Sequence, residues 1–111
     1  RKEAYEAVNL WLQQNVEFDA IFACDDFSAI GALSALNQAG IRVPEDVALV
    51  GFDDLEISRY LPPPLTTVAI PIEEIGRIAV QQLLRLIHTG KADLVTEVET
   101  KLVIRRSCGC E

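Results

Sequence analysis

Two pairs of adjacent carboxylates stand at equivalent places in this sequence. Asp25-Asp26 closes the apolar run FDAIFAC, and Asp53-Asp54 closes ALVGF. Acids placed this way can bind a hard cation for phosphoryl chemistry, act as a general base, cap a helix, or hold the hydroxyls of a polar ligand. The other parts of a catalytic site are missing, since no glycine-rich phosphate loop, lysine or nucleophile stands at a strand end. The one histidine, His88, falls at a helix C-terminus, where the helix dipole favours it as a surface residue. The residues therefore speak for binding rather than catalysis, with no metal and no cofactor.

Cys24, Cys108 and Cys110 are odd in number, and the last two are crowded as Cys-Gly-Cys, so they make no disulfide framework. That usage points to the cytoplasm. A soft-metal site would need further ligands beside the pair, and the tail reads as an unstructured end.

The elements that must position the acids follow from periodicity. Ala4, Ala7, Val8, Trp11 and Leu12 recur at helical spacing, so residues 1 to 15 read as a helix with one buried face, stopped at Asn15. Phe18 to Cys24 has strand length, and Asp26 is placed to cap a helix from Phe27 to Ala39, which Gly40 terminates. Pro44 keeps the next loop out of helix, and Val47 to Gly51 is a second apolar strand. A short helix over Leu55 to Leu61, capped by Asp54, is halted by Pro62-Pro63-Pro64. A third strand spans Leu65 to Ile70, a long helix Ile72 to His88, and a last strand Lys101 to Arg105. The apolar face of that long helix is wide enough to expect partners on more than one side. Strands alternating with helices give an α/β domain with a parallel sheet flanked by helices. Such sheets bind ligands beyond the carboxyl ends of their strands, where both acid pairs lie. With Asp26 and Asp54 capping, Asp25 and Asp53 are left to face the crevice.

The 111 residues suffice for one domain, half of them are apolar, and no run approaches the ~20 residues of a membrane span. Seventeen acidic against ten basic residues give a net charge of -7, which repels phosphate backbones. The sequence opens within an amphipathic helix, without a start methionine or signal peptide, and reads as a piece of something longer.

The acid pair before an A-x-G helix, then G-x-x-V-P-x-D-V, G-F-D-D and P-L-T-T-V in one order and spacing, resembles the effector-binding domain of LacI/GalR-type transcriptional regulators. The resemblance covers nearly the whole chain. It implies one lobe of a two-lobed, periplasmic-binding-protein-like sensor domain of type I, with residues 1–70 in the C-terminal lobe, 71–98 returning to the other lobe, and 99–106 a return strand. It implies that Asp53 hydrogen-bonds a small sugar-like or nucleobase-like effector. Asp25 stands where the family usually has Asn, and Ile70 where a polar residue often lies near the cleft. It further implies a homodimer through Ile30, Leu33, Tyr60 and Leu61, and DNA binding only through an N-terminal helix-turn-helix outside this chain. The alternatives are a periplasmic sugar receptor feeding a transporter, and a sensor lobe joined to another signalling output.

Overall fold

Helix α1 (Lys2–Gln13) forms on the apolar stripe read above, with Val8 buried and Tyr5 and Leu12 packed against the core. It ends at Asn15, whose φ of 54° is the left-handed conformation that Asn tolerates. In this computed structural model, which describes residues 1–110, α1 lies against α2 (Asp26–Gln38). The approach is close at Gly31, where any Cβ would collide with the Arg1 carbonyl oxygen and press on the Tyr5 backbone nitrogen. The alanines of α2 serve the same end: Ala29, Ala32 and Ala35 are at most 2 % exposed, and with Leu36 they form the centre of the core.

The first strand, β1 (Ala20–Phe22), pairs in parallel with β2 (Ala48–Val50), Ile21 opposite Leu49. Parallel bridges Val50 to Thr66 and Asp53 to Ala69 place β3 (Thr67–Ala69) beside β2. Strand β4 (Lys101–Val103) pairs with β3. The α/β class with a parallel sheet and helices is thus present. The strands are shorter than the apolar runs that announced them. Phe18, for one, stacks edge-on against Trp11 at 5.9 Å instead of pairing.

The loop before β2 is closed by Arg42 and Asp46, whose side chains meet at 2.6 Å. Hydrogen bonds from the Arg42 side chain and backbone hold the Asp46 carboxyl down at about 2.

The second acid of the first pair does not cap α2. Asp25 does, accepting from the Ser28 backbone N–H at 2.6 Å, while Asp26 is fully buried and points into the fold. Its carboxylate accepts from the Thr67 hydroxyl (2.6 Å), the Ser58 hydroxyl (2.5 Å) and the Leu55 N–H (2.8 Å). The reason is geometric. The Asp25 backbone is extended, the conformation of a helix cap, so the next side chain already belongs to the first turn of the helix. Gly51 completes the arrangement, because a Cβ there would strike the Asp26 carboxylate. Asp54 also does not cap: the 3₁₀ turn Glu56–Tyr60 starts after Leu55 without a side-chain cap.

Residues 106–110 take a defined conformation, contrary to the expected loose tail. Arg106–Cys108 make a 3₁₀ turn in which Ser107 is 1 % exposed. The Ser107 hydroxyl donates to the Leu49 carbonyl (2.6 Å) and accepts from the Thr66 N–H (2.8 Å).

The chain divides into two units, Arg1–Ala69 with the segment from Leu102, and Ile70–Lys101. The second is α3 (Ile72–Thr89) and the segment after it, closed by Gly90 in the left-handed conformation. Gln82 exchanges two hydrogen bonds with Asp93, at 2.8 and 3.0 Å. No residue of α3 is buried. No helix among the described residues is long and apolar enough to cross a membrane.

Replacing Asp26 by Ala strands two buried hydroxyls and a backbone N–H. The expected cost is about 3 kcal/mol, against about 1 kcal/mol for Asp25→Ala, which removes only a cap. Urea titration of the two variants measures both, and equal losses would refute this division of labour.

Candidate functional site

The carboxyl ends of β1 and β2 carry four neighbouring acids, and their environments separate them. Asp25 is partly buried and committed through one oxygen to the Ser28 N–H. That bond draws its pKa below the usual carboxylate value. Asp26 is buried and bonded to three donors. Asp54 meets the Arg105 guanidinium at 2.6 Å, with side-chain exposures of only 20 % and 14 %. Arg105 also donates to the Leu65 carbonyl (2.8 Å), and its backbone N–H and C=O both bond the Thr66 hydroxyl.

Asp53 differs from the other three. Its backbone N–H bonds the Val68 carbonyl (2.9 Å), but among the described residues its carboxylate has no hydrogen-bond partner. Its φ is 106°, uncommon for a residue with a Cβ. Burial, then the negative charges of Asp26 and Asp25, push its pKa up. Of the four acids, Asp53 alone is partly buried with its carboxylate unpartnered among the described residues, and its φ is uncommon for a residue with a side chain.

The expected site residues fall as follows. Asp25 and Asp53 lie in the first unit, at the turns after β1 and β2. Ile70 is partly buried and opens the second unit. Ile30, Leu33 and Leu61 line one shallow depression of about 380 Å³ together with Pro62. Leu33 is a core residue at 4 % exposure, whereas Tyr60 is 67 % exposed. Sequence reasoning passed over Ser58, Thr67, Thr66, Arg105 and Ser107, whose partners lie 32 to 58 residues away. It also passed over Phe22 and Phe27, which end β1 and open α2 on either side of Cys24-Asp25-Asp26. They are 70 % and 54 % exposed. Exposed aromatics flanking a polar turn are a signal that could have been read. Among the described residues no three His, Cys, Asp or Glu side chains are grouped to hold a metal ion.

Against known proteins, the family model described as the periplasmic binding protein-like domain matches residues 1–108. The ribose operon repressor of Haemophilus influenzae is 41 % identical over 97 residues, covering 86 % of this chain and 29 % of the repressor. The crystal structure of a LacI-type transcription regulator from Bifidobacterium animalis subsp. lactis aligns with a TM-score of 0.84 at 40 % identity, over 94 % of this chain and 38 % of that one. A LacI family transcriptional regulator from Arthrobacter sp. FB24, in complex with lactose, gives 0.83 at 36 %, over 96 % and 41 %. The chain spans about a third of the length of the curated relatives it matches.

The raised pKa of Asp53 has a sign for stability. A carboxyl that holds its proton more tightly when folded stabilises the fold only at low pH, and its ionised form opposes folding once pH exceeds the folded value. Asp53→Asn, which tolerates positive φ, is therefore expected to unfold at a higher temperature than the parent at pH 7. The advantage should fade as pH falls through the ordinary value of 3.8. Thermal melts across that range test it, and an advantage independent of pH would contradict the assignment.

Proposed function

Because the chain belongs to the periplasmic binding protein-like domain family and matches the effector-binding part of LacI/GalR-type regulators, we propose that it is the sensing and dimerisation portion of such a regulator. In this reading a small molecule modulates DNA binding by a helix-turn-helix outside these 111 residues, in the cytoplasm. The chain itself binds and does not catalyse.

The observation that carries the proposal is the free carboxylate of Asp53 at the end of β2. Asp53 is the first acid of the GFDD motif, the position that in this family bonds the effector. Asp25 supplies a second acceptor through Oδ2, which its cap leaves over and only the Cys24 thiol approaches, at 3.7 Å. Ile70 is retained as a third contact on the family pattern alone. An acceptor-only carboxylate suits a ligand rich in hydroxyl donors, and the exposed rings of Phe22 and Phe27 suit the apolar face of a sugar. The names of the relatives do not choose between a sugar-like and a nucleobase-like effector, since a ribose operon repressor and a neighbour held with lactose stand beside relatives named as the transcriptional repressor PurR at 36 to 40 % identity.

Residues 1–70 and 99–106 are assigned to the C-terminal lobe and 71–98 to the other. Dimerisation is assigned to the surface of Ile30, Leu33, Tyr60 and Leu61, with Tyr60 its exposed anchor and Leu33 its floor.

Two outcomes follow. In the full-length regulator, with a sugar identified by thermal-shift screening, Asp53→Asn should weaken effector binding at least about tenfold, the worth of a charged hydrogen bond. An affinity within about twofold of the parent would remove Asp53 from the site. Tyr60→Glu should raise the dimer dissociation constant at least about tenfold in sedimentation while leaving the fold intact, since aromatic anchors dominate such contacts. A variant as dimeric as its parent would displace the interface.

A further inference from the structure

The Cys-Gly-Cys segment is held in a defined shape. Ser107 is buried beneath it, and Gly109 takes φ 71°, which turns the chain back so that the Cys110 N–H points at the Cys108 sulfur, 3.3 Å away. The Cys108 thiol reaches the Arg105 carbonyl (3.5 Å) and the Cys110 thiol the Cys108 carbonyl (3.8 Å). Cys108 is partly buried and Cys110 exposed. Two thiols are too few for a tetrahedral zinc site. They suffice for thiol exchange, which needs one stabilised thiolate and a second thiol beside it.

We propose that Cys108 and Cys110 form a reversible dithiol–disulfide pair that exchanges with small disulfides of the glutathione type. The Cys108 thiolate attacks one sulfur of the small disulfide, forming a mixed disulfide and expelling one small thiolate. Cys110 then loses its proton to solvent, attacks the Cys108 sulfur and expels the second. Two protein thiols are oxidised, and one small disulfide is reduced to two thiols. The order of attack follows from the environments. Burial pushes the Cys108 thiol up, but the polar groups of Thr66 and Cys110 around it, with the Cys110 N–H 3.3 Å from the sulfur, outweigh it and leave it below the usual thiol value. Cys110 is pushed up, first by its hydrogen bond to Cys108 and then by the charge there. Cys24, which bonds Ser28 and Asp25, serves as the reference thiol.

The test is peptide mass mapping of the reduced chain after incubation with oxidised glutathione. The parent and Cys24→Ser should lose two hydrogens, give a peptide with Cys108 linked to Cys110, and recover both thiols with dithiothreitol. Cys110→Ser should stop with one glutathionyl group on Cys108. Cys108→Ser should form no link. In urea, where the turn is lost, the preference for Cys108 over Cys110 should vanish. Glutathionyl groups on both cysteines of the parent without a link would overturn the proposal. So would a Cys110→Ser variant, folded by circular dichroism, that reacts at Cys24 but not at Cys108.

Discussion

The buried carboxylate of Asp26 is the interaction on which the rest of this fold depends. It joins the first turn of α2, the start of the 3₁₀ turn and the first residue of β3, elements 29 to 41 residues apart. A carboxylate removed from water is tolerable only when its lone pairs are taken up, and here two hydroxyls and one N–H do that. Gly51 is the steric condition for it, and Leu65, close behind, seals the same space. With the backbone fixed on three sides, the β2 turn can hold Asp53 at a φ it would not otherwise keep. The stable acid makes the strained one possible.

A second set of bonds closes the sheet from the far end of the chain. Thr66 and Arg105 exchange backbone and hydroxyl bonds, Ser107 ties β2 to the segment before β3, and Arg105 neutralises Asp54. The surrounding charge is thereby sorted: Asp54 has a cation, Asp26 has hydroxyls, Asp25 has a helix N-terminus, and Asp53 has none of these. Specific donors thus distinguish neighbouring carboxylates that share one side of the sheet. In the proposed reading, a ligand that brings its own donors would meet one wholly unfilled carboxylate, that of Asp53, beside the oxygen that capping leaves over on Asp25.

The sequence made the alternation of strands and helices legible, because period-two and period-3.6 patterns are local. The importance of the acid pairs was legible too, from their place at strand ends. The roles within each pair were not. Asp25 and Asp26 are both good caps, and which one caps is set by a single residue's backbone angle. What occupies the other is decided by Ser58 and Thr67, and no local pattern reports a partner at that distance. Ser107 was missed for the same reason, since a polar residue near a chain end looks solvated until the Leu49 carbonyl is brought to it. Leu33 shows the converse, because an apolar residue on a helix face reads the same whether its partner is the chain's own core or a second copy.

Helix α3 presents an apolar face that the described residues leave uncovered. Ile75, Leu83, Leu84, Leu86 and Ile87 are 42 to 68 % exposed, and no residue of the helix is buried. A helix of 18 residues with good ends, Glu73 and Glu74 in its first turn and Gly90 after its last, has helical propensity on its side. Propensity alone leaves isolated helices marginal, and most helical stability in proteins comes from burying an apolar face. The width of that face is thus information about a partner. The proposed assignment of residues 71–98 to another lobe would cover apolar surface on more than one side of the helix at once. The same logic separates the chain's two kinds of exposed apolar residue: those of α3 lie along one helix that burial would stabilise, whereas Phe22 and Phe27 flank a polar turn and, in the proposed reading, would meet a ligand.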